Sequence, residues 1–408
     1  MAAATFLLIG LLAGSLLLRL WLAGRQISHL LRHGENPSHG ENPIASDAML
    51  RAGFMVVAGV VEGGAILALT LGGGIAWLER AWRFSRFSSG GLIASVVLVF
   101  LLSNRAVHAG QSWLGERRWR QAHRVPERKS PAAVLSLLLA AGGAAAAGQA
   151  VSWLIDADIP LWWLWTALLT VLGLKFSERF PLRLWRGHGT AQPSLPLTDP
   201  VLKPRLAALL TRCGMVTAAL RVIASPAGSR NANARLAGTA RLPRIEMSSA
   251  LLALLTPEEI DAIVAHEAGH WRCRHPARDL AGLAVFVFAG FALLALATGV
   301  PAISHGLGVP DASPPGWLAL AVALLPLARF FLLPARAAWR RRFEFEADAF
   351  AAAQTRRPAL MAALAKLNRA NATPFSSDPI YAGFFHFHPD AEERIRRLQA
   401  GQCPLFGR

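Results

Sequence analysis

A chain of 408 residues, 53% of them hydrophobic and with a formal net charge of +17, is too apolar for an ordinary water-soluble enzyme and long enough for a membrane bundle plus a folded domain. The charge does not point to nucleic acid. No stacking-aromatic or Gly-rich binding pattern accompanies it, and cytoplasmic loops of bacterial membrane proteins carry excess Lys and Arg for topology.

The apolar residues fall into runs approaching the roughly 20 residues that a helix needs to cross the hydrocarbon layer. Seven runs qualify, over residues 5–22, 53–78, 91–103, 132–153, 160–174, 280–300 and 317–333. Two of them, 91–103 and 160–174, are short and require snorkelling ends or local thinning of the bilayer. The first run has no Lys or Arg before it, and its first basic residue, Arg19, lies near its far end; it reads as a retained anchor with the N-terminus outside. The basic stretches 105–129, 175–278 and everything after Arg336 then face the cytoplasm. The loops at 156–158 and 301–316 contain no Lys or Arg, which agrees with an N-out, C-in arrangement. The short loop with Arg80, Arg83 and Arg86 disagrees. Glu62, inside the second run, is costly unless it faces a polar interior or pairs with a cation.

Residues 177–204, rich in Pro, Arg and polar side chains, read as a linker into a soluble region. Short β-like runs at 220–224, 233–240 and 244–247 are separated by turn-prone segments and predict a small sheet. Thr256-Pro257-Glu258-Glu259 combines an N-cap, Pro at the first helical position and Glu at the third, so a helix starts there. The three cysteines, Cys213, Cys273 and Cys403, all fall on the expected cytoplasmic side and are assigned no disulfide.

That helix carries His266-Glu267-Ala268-Gly269-His270. Four-residue spacing puts the two imidazoles on one face a turn apart, and Glu267 adjoins that face without needing to bind a metal itself. Zinc accepts neutral imidazoles and in catalytic sites keeps one position for water, which Glu267 would deprotonate. Gly269 tolerates close approach of another backbone. A third protein ligand is needed, and the helix at 340–353 offers Glu344 and Asp348 on one face, with Ala347 and Ala351 leaving room and Glu346 pointing elsewhere. Glu344 would bind zinc and Asp348 would accept the remaining N–H of a ligating His. Taken alone, an exposed charged helix is the commoner origin of such a pair. Cys273, one turn beyond His270, reads as a small buried residue in preference to a ligand.

His266-Glu267-Ala268-Gly269-His270-Trp271 followed by His275, together with the stretch from Arg341 to Ala351, resembles the CaaX prenyl endopeptidase family of integral-membrane zinc peptidases. His388-Pro389 with Glu393-Arg394-Ile395, and Asn233-Ala234 before Gly238, are similar to further segments of that family and of its relative HtpX. The resemblance implies zinc on His266, His270 and Glu344, Glu267 as general base and acid, and Asp348 supporting a ligand. It further implies that His388 helps bind substrate or the oxyanion, that Arg394 orients the surrounding groups, and that the strand containing Asn233 receives substrate. Arg235 stands where the family usually has an aromatic, and Asn231 where a His is common, so this strand has altered preferences.

The expected fold is mainly α, a seven-helix membrane bundle with a gluzincin-like catalytic domain containing a small β-sheet. Five N-terminal transmembrane helices occupy 1–176, a catalytic segment with the sheet and zinc-binding helix 177–278, two more transmembrane helices 279–335, and a C-terminal segment with the third ligand 336–408. The expected activity is endoproteolysis with one zinc ion per chain. HtpX-like quality control of membrane proteins and a catalytically silent membrane scaffold are the alternatives. Expected partners are a peptide or protein substrate, including membrane-associated ones, and the lipid bilayer, with no nucleic acid. Arg far outnumbers Lys, which suggests a high-GC bacterium; the expected location is its inner membrane, with the site on the cytoplasmic side.

Overall fold

The computed structural model describes residues 2–32, 43–85, 88–120, 132–157, 159–179, 194–225, 232–239, 241–310, 312–371 and 377–401. Arg86, Asp158, Asn231, Cys403, part of the basic stretch (121–129) and much of the expected linker (180–193) lie outside the described residues. In chain order the elements are α1 (Ala2–Arg32), α2 (Pro43–Leu69), α3 (Gly74–Trp82), α4 (Ser88–Arg120), α5 (Ala132–Asp156), α6 (Trp162–Arg179), β1 (Ser194–Pro196), α7 (Leu202–Arg212), β2 (Ala219–Ile223), β3 (Ala234–Gly238) and β4 (Pro243–Ser248). There follow α8 (Ser249–Leu254), α9 (Pro257–Arg272), α10 (His275–Thr298), α11 (Pro301–Gly306), α12 (Pro314–Gln354), α13 (Arg357–Ala370), α14 (Pro379–Phe385) and α15 (Ala391–Gln399). The chain divides into two units, one of Met1–Ile27, Met49–Gly189 and Gly282–Leu332, the other of Ser28–Ala48, Thr190–Ala281 and Leu333–Arg408.

The first unit is helical because a helix satisfies every backbone polar group within itself, as lipid requires. Six described helices are long and apolar enough to cross a bilayer, over Ala2–Arg32, Ala48–Leu69, Ser88–Gln111, Leu137–Asp156, His275–Thr298 and Pro314–Gln354. The chain is a multi-pass membrane protein. On α10, Val285, Leu293 and Leu296 are 69%, 66% and 72% exposed, which suits a lipid solvent and not water.

The helices differ from the seven expected runs in three places. Residues 53–78 are two helices, because α2 stops at Leu69 and Gly73, at φ 72°, turns the chain before α3. The run 91–103 lies in the N-terminal half of the 33-residue α4, whose apolar span covers Ser88–Gln111, so it needs no thinned bilayer. The run 160–174 is carried by α6, which starts at Trp162 and continues to Arg179, five residues beyond the run. Glu62 has the cation its position demands: Arg19 Nη2 is 2.8 Å from its carboxylate. Arg19 also donates to the Met55 carbonyl at 3.2 Å and lies over the Phe330 ring at 4.3 Å, so the pair ties α1, α2 and α12 together.

The second unit is built on a four-stranded sheet in the order β1-β2-β4-β3. β2 and β4 are parallel, while β1 and β3 add antiparallel at the two edges. β1 falls within what the composition suggested was linker; Arg221 Nε anchors it through Ser194 Oγ at 2.8 Å. Leu206, Ile245, Met247, Leu251 and Val264 are fully buried between the sheet and helices α7–α9. α9 starts at the capping box expected of Thr256: the Glu259 carboxylate accepts from Thr256 N at 2.8 Å, and the Thr256 hydroxyl accepts from Glu259 N. Arg205–Asp261 at 2.7 Å and Lys366–Glu259 at 2.8 Å pin α9 to α7 and α13.

Candidate metal centre

α9 and α12 meet where neither has bulk. A Cβ on Gly269 would lie 3.0 Å from Ala347 Cα and 3.2 Å from its carbonyl oxygen, so glycine is what lets the two backbones approach this closely. Ala347 and Ala351 are fully buried, which leaves the space between the helices to the polar side chains flanking them.

There His266 Nε2 and His270 Nε2 lie 3.2 Å apart, and the Glu344 carboxylate sits 3.5 Å from the first and 3.7 Å from the second. The three donor atoms fall within 4.8 Å of one another. A tetrahedral zinc with bonds of about 2.0–2.2 Å holds adjacent ligand atoms about 3.3–3.5 Å apart, so two imidazole nitrogens and a carboxylate, Oε2 facing His266 and Oε1 facing His270, suit zinc. His266 and Glu344 are buried at 6% and 4% exposure.

Both rings turn their other nitrogen away. His266 Nδ1 meets Asp348 Oδ1 at 2.9 Å, and Arg394 grips the same carboxylate with two bonds of 2.8 and 2.5 Å. Arg394 Nη1 also lies 3.9 Å from Glu344. His388 Nδ1 reaches Glu344 Oε1 at 2.9 Å, with a side chain 68% exposed. Burial alone would lower His266, but Asp348 and Glu344 hold it up to about 9. Burial, reinforced by His266, takes His270 down to about 3.

Glu267 projects to the sheet side of α9 and accepts a hydrogen bond from Leu236 N at 2.7 Å. Burial pushes its carboxyl up to about 6. Leu236 belongs to β3, the edge strand of the sheet among the described residues, so Glu267 stands between the metal donors and that edge. Just before β3, Asn233 N donates to the Ser248 hydroxyl at 2.9 Å and its carbonyl accepts from Ser248 N at 2.8 Å, and Asn371 brackets Ala232 with two bonds of 3.0 Å. Arg235 is held opposite Glu246 by an ion pair of 2.6 Å.

A model of peptidase family M48 matches residues 196–402, just over half of the 408 residues. The chain belongs to peptidase family M48. The CAAX prenyl protease 1 homolog of Oryza sativa subsp. japonica is 27% identical over 208 residues, covering 50% of this chain and 48% of the relative. That of Homo sapiens is 30% identical over 149 residues, covering 35% and 30% respectively. The chain thus spans about half the length or less of these curated relatives. The crystal structure of S. mikatae Ste24p has the same fold over 98% of this chain and 99% of that one, with a TM-score of 0.74 at 18% identity.

In this M48 chain the residues singled out from the sequence separate into two groups. His266, His270, Glu344, Asp348, His388 and Arg394 converge within contact distance, and Glu267 adjoins them. Asn233 stands apart, its backbone bonds going to Ser248. Sequence reasoning gave no role to Leu236, whose relevant group is a backbone N–H and leaves no trace in residue type. It also set Glu346 aside as pointing elsewhere. Glu346 does point away from Glu344, and it lands on His275 Nε2 at 3.0 Å.

Proposed function

We propose that this chain is a membrane-embedded zinc endopeptidase of the CaaX prenyl endopeptidase type, with one zinc held by His266, His270 and Glu344. The observation that carries the reading is the convergence of those three donors beside a buried carboxylate, Glu267, that is not itself among them. Zinc, when bound, polarises a scissile carbonyl and lowers the pKa of a water. Glu267 accepts that water's proton and later returns it to the leaving amine. Arg394 holds Asp348, and Asp348 holds the His266 ring with Nε2 facing inward. His388, exposed and beside Glu344, is positioned to donate to the substrate oxyanion.

A peptide lying along the edge of β3 would bind by main-chain hydrogen bonds and bring its scissile carbonyl to the metal donors, beside Glu267. The Arg235–Glu246 pair gives this edge a charge where an aromatic is usual in the resembled family. The CaaX type is preferred to HtpX-like quality control because of the names of the curated relatives and the fold shared along nearly the whole chain. A silent scaffold has no chemical need for every donor plus Glu267. The test compares membrane-peptide fragments from cells expressing the wild-type chain with those from cells expressing Glu267→Gln. Fragments that accumulate only with the active chain are expected; identical profiles would exclude proteolysis.

Asp348→Asn is expected to lower zinc affinity or activity roughly 10- to 100-fold, since an amide accepts from His266 more weakly and weakens the Arg394 pair. Chelator competition measures it, and an unaffected variant would return Asp348 to the ordinary helix charges.

The basic stretches support an N-out, C-in topology with the site at the cytoplasmic face of a bacterial inner membrane. Reporter fusions at Ser313 and after Arg408 are expected to report opposite sides, Ser313 outside. Both on one side would mean that the crossings between them are miscounted, and both reversed would put the site outside the cell.

A further inference from the structure

The two candidate imidazole ligands are backed differently. Behind His266 stands a carboxylate, whereas behind His270 stands a third imidazole: His270 Nδ1 lies 2.8 Å from His275 Nδ1. His275 Nε2 is 3.0 Å from Glu346 Oε2, and Glu346 accepts from Arg278 at 2.5 and 3.3 Å and from Arg342 Nε at 2.9 Å. Resting on the zinc-ligand reading above, we propose that His275 and Glu346 are positioning residues that fix the tautomer and ring angle of His270 from behind.

The proton count allows one arrangement. To present Nε2 to a cation, His270 must carry its hydrogen on Nδ1. Two nitrogens 2.8 Å apart share one hydrogen, so His275 Nδ1 accepts and the His275 proton sits on Nε2, donated to Glu346. The Glu346 carboxylate ends the chain as an acceptor with both oxygens engaged by guanidinium donors, which gives the series a single direction. His270 thus receives through a neutral imidazole what His266 receives from Asp348 directly.

The surroundings hold His275 in that orientation. It is 3% exposed and lies parallel to Phe343, ring centroids 4.3 Å apart and planes 9° apart. Arg274 takes φ 55°, a left-handed conformation that non-glycine residues seldom adopt, and this turn between α9 and α10 brings His275 back onto a ring five residues earlier. The Arg278 guanidinium lies over the same Phe343 ring at 4.6 Å.

A different use of these atoms is a second ion, because Cys273, His275 and Glu346 also offer donors within 4.8 Å of one another. The positioning role is favoured on charge: two guanidiniums already occupy Glu346, and burial pushes the Cys273 thiol up to about 12, leaving it neutral.

The experiment uses the full chain in detergent and measures zinc affinity by chelator competition, the visible spectrum of the cobalt-loaded protein, and melting of the zinc-free protein. Glu346→Gln and His275→Gln are expected to weaken zinc binding about 10- to 100-fold and to shift the cobalt bands, with the zinc-free melting point reporting separately any loss of stability from the broken ion pairs. Glu346→Gln is nearly isosteric, so it reports even where His275→Gln fails to fold. His266→Ala is the control. If it loses the metal while both Gln variants keep wild-type affinity and spectrum, the positioning role is overturned and the ligand reading stands. If His266→Ala keeps its metal, the ligand reading fails and takes this inference with it. Two zinc ions per wild-type chain, falling to one in Cys273→Ser, would overturn the positioning role in favour of a second ion.

Discussion

Glu267→Gln is expected to leave metal content and fold intact while reducing peptide hydrolysis by several orders of magnitude. The wild-type side chain accepts from Leu236 N at 2.7 Å, and the amide oxygen of Gln accepts in the same place, so the contact between α9 and β3 survives. What disappears is a base. Burial raises the Glu267 carboxyl to about 6, close to the range in which a carboxylate takes and returns a proton most effectively near neutral pH. General-base removal alone costs about 10²- to 10⁴-fold, and loss of proton return to the leaving amine adds to it. Single-turnover cleavage of a peptide in detergent, with zinc measured on the same sample, separates the two effects. Near-normal turnover would remove Glu267 from the mechanism.

Removal of a donor has the other large effect. His266→Ala or Glu344→Ala is expected to take purified protein from one zinc per chain to almost none, because a three-ligand site reduced to two binds far more weakly at the same zinc concentration. Collapse of the fold is not the expected cause. After His266→Ala, Asp348 keeps its two-pronged bond to Arg394 at 2.8 and 2.5 Å, so no buried carboxylate is stranded. After Glu344→Ala, His388 loses its 2.9 Å contact but is 68% exposed and can be solvated. Elemental analysis alongside circular dichroism decides it: full metal content in either variant would strike that residue from the ligand set.

Much of this protein was legible in its sequence because the relevant signals are local. A run of apolar residues becomes a helix in lipid whatever its neighbours are, and Thr256 with Glu259 starts α9 through bonds that span three residues. His266 and His270 share a face because the helix repeat puts them there. Gly269 signalled a close approach, and Ala347 is the residue that makes it.

Other features needed the folded chain. The break between α2 and α3 depends on a turn at Gly73 that hydropathy averages over, and the strand at 194–196 exists because Ile223 and its neighbours offer it an edge to pair with. Arg19 and Glu62 are 43 residues apart and meet only once α1 packs on α2. The helical period turns Glu346 off the Glu344 face but does not say where it goes: His275 reaches it through a left-handed turn at Arg274, across 71 residues of chain. Residue type and helical period determined which side chains are able to hold a metal. Only packing decided which atoms stand behind them, because hydrogen-bond partners distant in sequence are chosen by distance in space.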